Sequence, residues 1–152
     1  MTTEMIIEIL NDLNGAKRGI FESTKISTDV EYALFSKLPV KTAAPPGSRL
    51  YPFYFVKNDD GTNVAAVYVM QEDLHWVVLP EYRNQGILIG PLKKSIIPHL
   101  LQESDEIFIT IDPLDIGEEA AAASKKIAEK VGFEMVKKER DVSYFRSFSA
   151  SR

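Results

Sequence analysis

One stretch of the chain carries most of its structural information: Val77-Val78-Leu79-Pro80-Glu81-Tyr82-Arg83-Asn84-Gln85-Gly86-Ile87-Leu88-Ile89-Gly90. An apolar run ends at Pro80, a polar loop follows, and a helix opens from that loop. A connection of this kind points free backbone N–H groups outward at the positive end of a helix dipole. Gly86 lets the backbone approach a ligand closely, and Arg83 supplies charge-assisted hydrogen bonds to phosphate oxygens. The stretch predicts an anion-binding loop; the alternative is a plain strand-to-helix connection with a solvent-exposed Arg83.

The spacing of the glycines excludes two familiar phosphate-binding motifs. The loop contains one early glycine, and neither a GK[ST] sequence nor a GxGxxG sequence occurs in it. It is therefore neither a P-loop nor a dinucleotide-binding turn.

Three β-type segments precede the loop, at 50–56, 64–70 and 74–79. The turn residues at 58–61, Asn-Asp-Asp-Gly, predict that the first two segments form a hairpin. The third segment is almost wholly apolar, which is typical of a strand covered on both faces.

A helix and a further buried strand are predicted after the loop. Apolar residues recur every four positions on one helix face, at Leu88, Leu92, Ile96 and Leu100. Pro91 is tolerated only in the first turn of this helix, and Pro98 should kink or shorten its far end. The strand follows at 106–111, so strand, helix and strand form a right-handed crossover between parallel strands.

The two ends of the chain complete the predicted architecture. A helix at 118–131 ends at Gly132 in the left-handed conformation, Phe133 packs back on it, and strands at 134–140 and 143–149 close the sheet. At the other end, helices are predicted at 3–13 and after Asp29, the second carrying Tyr32, Leu34, Phe35 and Leu38. The sequence therefore predicts one α/β domain over 1–152. Its sheet is mixed and partly antiparallel, with a parallel β-α-β centre and helices on both faces.

Composition narrows the classes of function. The chain has 152 residues and a formal net charge of −4, which argues against a nucleic-acid binder. It contains no cysteine, and its two histidines lie far apart, so no metal site is predicted. The N-terminal residues lack a basic region, and no apolar run approaches the ~18 residues of a membrane span. We expect a cytoplasmic protein that binds neither nucleic acid nor membrane.

The loop resembles the pyrophosphate-binding signature of the GNAT N-acetyltransferases, whose core is Gln/Arg-x-x-Gly-x-Gly/Ala. Arg83 and Gly86 match its first two fixed positions, whereas Leu88 stands at the third and does not match. The segment 124–133 resembles the next helix of that family and its closing Lys-x-Gly-Phe. The resemblance covers roughly 50–149 well and the N-terminal part only loosely. We expect the Leu88 side chain to turn into the core.

The resemblance implies an N-acetyltransferase that uses acetyl-CoA as co-substrate. Strand 74–79 would splay from strand 106–111, an N–H near Val78 would polarise the acetyl carbonyl, and an amine would attack directly. Two sets of backbone groups would bind acetyl-CoA: the pantetheine arm on Val77, Val78 and Leu79, and the pyrophosphate on the N–H groups of Asn84, Gln85, Gly86, Ile87 and Leu88.

The catalytic residues follow less directly. Glu72 stands where the histone-acetylating branch of the family has its base glutamate, although residues 71–73 also read as a solvated turn. His75 is a second candidate base, or a half-buried strand residue. The family often has Asn and a Tyr general acid at the positions of Ala121 and Ala128. Tyr144 is a candidate substitute for the acid, or simply a strand aromatic.

Three functions remain open from the sequence. The first is acetyl transfer to the primary amine of a small molecule or peptide. The second is an acyl-CoA-binding or regulatory domain with little or no transferase activity, and the third is a binder of another phosphate ligand. The apolar segment 51–55 could serve a homodimer interface, with core packing as the alternative.

Overall fold

The computed structural model describes residues 3–15, 20–36, 50–70, 73–139 and 142–148. Its strands are β1 (Ile20–Lys25), β2 (Val30–Ser36), β3 (Leu50–Lys57), β4 (Asn63–Met70), β5 (Asp73–Val78), β6 (Glu106–Ile111), β7 (Glu134–Glu139) and β8 (Val142–Phe148). Its helices are α1 (Thr3–Asn14), α2 (Ile89–Pro91), α3 (Ile97–Leu100), α4 (Pro113–Ile116) and α5 (Glu118–Lys130). A 3₁₀ turn spans Pro80–Tyr82, and a π-helical turn at Leu92–Ile96 joins α2 to α3.

These strands form an eight-stranded mixed sheet in the order β1-β2-β3-β4-β5-β6-β8-β7. The pair β5–β6 is parallel, and a helical segment connects its two strands. The pairs β1–β2, β2–β3, β3–β4, β6–β8 and β7–β8 are antiparallel. The predicted fold class, a mixed sheet with a parallel β-α-β centre, is confirmed.

The chain divides into two compact units. The first contains Met1–Met70 and Trp76–Arg83, and the second contains Gln71–His75 and Asn84–Arg152. Strand β5 contributes to both, because its first residues belong to the second unit and its last residues to the first. That the whole chain is a single domain stays a prediction.

The core of the first unit lies between α1 and one face of its strands. Cross-strand pairs align Ala33, Phe53 and Tyr68 in one row, with the rings of Phe53 and Tyr68 5.4 Å apart. Ile6 and Leu10 of α1 belong to the same cluster. The side chains at 53–55 are all buried, which confirms core packing for this part of the apolar segment.

The prediction of a helix after Asp29 is wrong. Residues Val30–Ser36 form β2, an internal strand that pairs with β1 on one side and β3 on the other. Tyr32 faces Tyr54 across the ladder, with ring centroids 5.1 Å apart. Four apolar residues at helical spacing do not decide the structure here. Cross-strand aromatic contacts and pairing with a strand on each side favour the strand over the helix.

A tight turn and an asparagine pair fix the β3–β4 hairpin. Gly61 adopts a φ of 79°, and the Asn58 side chain accepts hydrogen bonds from the N–H groups of Asp60 and Thr62. At the end of α1, Asn14 accepts the N–H of Asn63 at 2.8 Å and donates to its carbonyl at 3.0 Å. The predicted hairpin is confirmed, and Asn14 ties the end of α1 to its second strand.

The helical segment after the loop contains the predicted Pro91 in its first turn. Pro98 lies further along the same segment and has no N–H to donate to residue 94. The π-helical turn directly before it, closed by the N–H of Ile97 on the carbonyl of Leu92, widens the helix there. The helix therefore continues through Pro98 to Leu100 instead of ending before it.

The second unit has its own core. Alternate residues of β6 are buried together with the apolar faces of the helices; the buried side chains include Leu88, Leu92, Ile96, Ile107, Ile109, Ile111, Ala121, Ala128 and Phe145. Helix α5 ends as predicted, because Gly132 has a φ of 99° and the N–H of the buried Phe133 donates to the carbonyl of Ala128. This ending reverses the chain into β7.

Candidate functional site

The end of β5 is anchored in the first unit. The side chains of Val77 and Leu79 are buried in its core, and Tyr82 packs against that core. The N–H of Leu79 donates to the carbonyl of Val64 on β4 at 2.9 Å, so this N–H is not available to a ligand. Neighbouring residues of a strand direct their backbone groups to opposite sides. Of the three residues predicted to hold a pantetheine arm, Val78 is therefore the one whose backbone faces away from β4.

Arg83 turns back onto the strand that precedes it. Its Nε donates to the carbonyl oxygen of Val78 at 3.0 Å, and its side chain is exposed. A guanidinium has five N–H groups, so this bond leaves the Nη groups for an anion. Arg83 is thus oriented by the backbone of β5, which a sequence motif does not reveal.

The segment from Asn84 to Leu88 belongs to the second unit and has an unusual backbone. Asn84 and Gly86 adopt φ values of 62° and 67°, in the left-handed region. Asn84, Gln85 and Gly86 are exposed and Ile87 is half-buried. Leu88 is only 1% exposed, which confirms that its side chain turns into the core.

Four of the five backbone N–H groups of this segment have no acceptor among the described residues. No described residue accepts a hydrogen bond from the backbone N–H groups of Asn84, Gly86, Ile87 or Leu88. The buried Leu88 side chain and the bond from Leu92 N–H to Leu88 carbonyl at 2.9 Å hold the segment in place. A fixed group of N–H donors before a helix has the chemistry of an anion site.

Alanine occupies the two positions, 121 and 128, at which the resemblance implies an Asn and a Tyr general acid. Ala121 and Ala128 lie on the buried face of α5, at 2% and 0% exposure. No proton donor stands at either position, and a larger side chain would have to displace the packed interior there.

The two predicted catalytic residues have different outcomes. Glu72 lies outside the described residues. Tyr144 is on β8, where it pairs with Thr110 on β6 and Lys137 on β7. Its side chain is partly exposed, and the Nζ of Lys137 lies 5.5 Å from the centre of its ring. Whether Tyr144 acts as the acid stays a prediction.

Sequence reasoning missed an acid next to His75. The Oδ1 of Asp73 accepts the N–H of Thr110 at 3.1 Å, and its Oδ2 lies 3.7 Å from the Nε2 of His75. Burial raises the pKa of Asp73 above its ordinary value of 3.8, although His75 and the hydrogen bonds from Thr110 act in the opposite direction. The signal in the sequence was an Asp-x-His pair at the start of an apolar strand, where both side chains share one face.

Metal binding and membrane spanning can each be checked in the described residues. They contain no group of three or more His, Asp or Glu side chains arranged to hold a metal ion. None of the helices seen in them has the length and apolar character needed to cross a bilayer. The predicted cytoplasmic location is not tested by this and stays a prediction.

No known sequence family matches the chain, and no curated protein matches it. Among solved structures, the chain is similar to a GNAT superfamily phosphinothricin acetyltransferase from Sinorhizobium meliloti, solved in complex with AcCoA. The TM-score is 0.49 and the sequence identity 14%. The match covers 64% of this chain and 60% of the other, so the aligned part spans less than two thirds of that protein.

Proposed function

We infer that this chain is an N-acetyltransferase of the GNAT type, which transfers an acetyl group from acetyl-CoA to a primary amine. One observation carries the proposal: the N–H groups of Asn84, Gly86, Ile87 and Leu88 find no acceptor among the described residues, on a loop anchored by Leu88. The loop also carries the Arg-x-x-Gly resemblance through Arg83. Pre-oriented amides of this kind suit a diphosphate.

The residues around the loop have distinct parts in binding. The amides of Asn84, Gly86, Ile87 and Leu88 hold the pyrophosphate, and Arg83 is the cation that the resemblance to the family signature assigns to the same ligand. The bond from Arg83 Nε to the carbonyl of Val78 fixes the guanidinium without using its Nη groups. The resemblance assigns the acyl end of the substrate to an N–H near Val78, whose backbone faces away from β4.

The reaction is a direct transfer. The amine nitrogen forms a bond to the thioester carbon, the tetrahedral intermediate collapses, and the C–S bond breaks. The intermediate's oxyanion is stabilised by backbone N–H donation. The ammonium loses one proton to a base before attack and a second during collapse, and the second proton ends on the departing thiolate. The products are the N-acetyl amine and CoA thiol.

Calorimetry with acetyl-CoA and thiol release with a panel of amines test the proposal. We expect a dissociation constant in the micromolar range, on the order of ordinary enzyme KM values. Arg83→Lys keeps the charge but loses the Nε bond to Val78, and we expect about tenfold weaker binding. Arg83→Ala removes the charge as well and should weaken binding further. Lys138→Ala on the exposed strand β7 also removes one positive charge and should leave the Kd unchanged, so it is the matched control. Absence of acetyl-CoA binding by the native chain rejects the assignment.

An acyl-CoA-binding role without transfer is the second candidate. It is favoured by the buried Ala121 and Ala128, which leave α5 without an acid where the resemblance implies one. Thiol release separates the two functions. A chain that binds acetyl-CoA but releases no thiol with any amine in the panel is a binding domain.

A further inference from the structure

The parallel ladder between β5 and β6 is short. Among the described residues it contains one pair, Asp73 with Phe108, although β5 runs on to Val78 and β6 to Ile111. By contrast, β6 pairs with β8 along its whole length, from Glu106 to Ile111. Since β6 itself is a regular strand, the ladder ends for a local reason on the side of β5.

The next residue of the ladder would be Leu74, which belongs to the same compact unit as β6. Residues four apart on a strand direct their backbone groups to the same side, and those of Val78 face away from β4. The backbone of Leu74 therefore faces β6, the neighbour on the other side of β5. In a regular parallel ladder that pairs Asp73 with Phe108, its carbonyl would accept the N–H of Thr110.

The side chain of Asp73 takes this N–H instead. Its Oδ1 accepts the N–H of Thr110 at 3.1 Å, and the Thr110 side chain hydrogen-bonds to the same carboxylate. The carboxylate is 30% exposed, and its second oxygen, Oδ2, lies 3.7 Å from the Nε2 of His75. Side-chain oxygens that bond to a backbone N–H compete with secondary structure for that donor. The bond from Thr110 to Asp73 is therefore the local reason why the ladder ends.

A carboxylate is an unfavourable way to satisfy one backbone donor. Burial raises the pKa of Asp73 above its ordinary value of 3.8, so the charged form is destabilised in the folded chain, although His75 and Thr110 act in the opposite direction. The carbonyl of Leu74 would satisfy the same N–H without burying a charge. A residue that favours an open ladder over a more stable one is typical of a binding site.

We propose that Asp73 is a positioning residue for acyl-CoA, which ends the ladder at the first residue of β5 and so leaves the edge of that strand to the pantetheine arm. The proposal rests on the proposed function, in which the resemblance assigns the arm to Val77, Val78 and Leu79. Pantetheine contains two amide groups, which hydrogen-bond to a strand edge as a further strand would. A ladder that continued beyond Asp73 would place the backbone of β6 along that edge instead.

NMR spectroscopy detects the decisive bond in the native chain. A long-range HNCO experiment on isotope-labelled protein records the coupling, across a hydrogen bond, between an amide nitrogen and the carbon that bears its acceptor oxygen. We expect the nitrogen of Thr110 to couple to the side-chain carboxyl carbon of Asp73. Coupling to the backbone carbonyl carbon of Leu74 would overturn the proposal before any substitution is made.

Two substitutions and two ligands test the effect on binding. Asp73→Val removes the acceptor and favours strand pairing, so the ladder should extend and the Kd for acetyl-CoA should rise by about tenfold or more. The Kd for 3′-phospho-ADP, which is CoA without its pantetheine arm, should stay within about twofold of the native value. Asp73→Asn keeps an oxygen for the N–H of Thr110 and should bind both ligands nearly as the native chain does. Glu134→Val, at the first residue of the exposed strand β7, is the matched control and should change neither Kd.

The outcomes separate this proposal from the function on which it rests. If the native chain does not bind acetyl-CoA, the proposed function fails and the role of Asp73 with it. If the native chain binds acetyl-CoA and Asp73→Val binds it equally well, only the role of Asp73 is overturned. Equal weakening of both ligands overturns it as well, and so does an Asp73→Asn protein that binds as weakly as Asp73→Val. If Asp73→Val does not fold, Asp73→Ala removes the same acceptor and takes its place in each comparison.

Discussion

Replacing Gly86 by glutamate tests the anion-binding loop most directly. Gly86 adopts a φ of 67°, and among the described residues a Cβ added there first meets Ile89 Cδ1, at 3.8 Å, which is an ordinary contact. The space therefore admits a side chain, and the cost to folding comes from the backbone. A left-handed non-glycine residue costs roughly 1–2 kcal/mol. In a chain of this size each kcal/mol lowers Tm by about 2–4 °C.

The effect on binding is larger than the effect on folding. With an effective dielectric constant of about 20, a carboxylate about 5 Å from a phosphate charge is repelled by about 3 kcal/mol. That corresponds to a more than hundredfold increase in the Kd for acetyl-CoA. Calorimetry at constant ionic strength measures the Kd, and circular dichroism measures the melting temperature.

Gly61→Glu is the matched control for this variant. Gly61 has a φ of 79° in the β3–β4 turn, and no atom of the described residues lies within 4 Å of an added Cβ, so the variant introduces the same strain and the same charge. We expect a similar fall in melting temperature and a Kd within about twofold of the native value. A folded Gly86→Glu protein that binds acetyl-CoA as tightly as the Gly61→Glu protein would refute the placement of the diphosphate on this loop.

Three further substitutions test the packing and the electrostatics. Leu88→Ala should destabilise the chain by about 2–5 kcal/mol in urea unfolding because Leu88 is 1% exposed, whereas Leu114→Ala at 89% exposure should stay within about 0.5 kcal/mol. Asn14→Ala leaves the backbone of Asn63 without its partner and should cost about 1–3 kcal/mol; an unchanged urea midpoint would show that the pair is not stabilising. Asp73→Asn should raise the melting temperature at neutral pH, because the folded pKa of Asp73 is raised and its ionisation opposes folding. This gain should shrink as the pH falls through that folded pKa and vanish below the ordinary value of 3.8, and a gain that grows toward acid would contradict the sign.

The sequence predicted the elements whose signals are local. The hairpin turn at 58–61, the end of α5 at Gly132 and the strand at 106–111 depend on residues that are close in the chain. β2 is different, because the spacing of Tyr32, Leu34 and Phe35 fits a helix as well as a strand. The strand is selected by its register with β3, some twenty residues away, and a single segment does not contain that information.

The candidate site divides in the same way. Arg83 and Gly86 were found from their spacing, and the inward turn of Leu88 followed from its place on a helix face. Asp73 was missed because its importance depends on Thr110, 37 residues further along the chain. The bond of Arg83 to the carbonyl of Val78 was missed as well, because the order of residues in a chain does not determine which rotamer a side chain adopts.

The loop after β5 has its two left-handed residues at Asn84 and Gly86, with Leu88 fixed in the interior. The second left-handed residue of the loop, Asn84, therefore comes before Gly86, whereas the second small residue of the family signature comes after its glycine. Asparagine occupies that position because it tolerates this backbone conformation better than most side chains do. A search pattern written around a pair of glycines would pass over a loop built this way, whatever anion its amides hold. Such loops are better recognised by their backbone dihedral angles than by their amino-acid sequence.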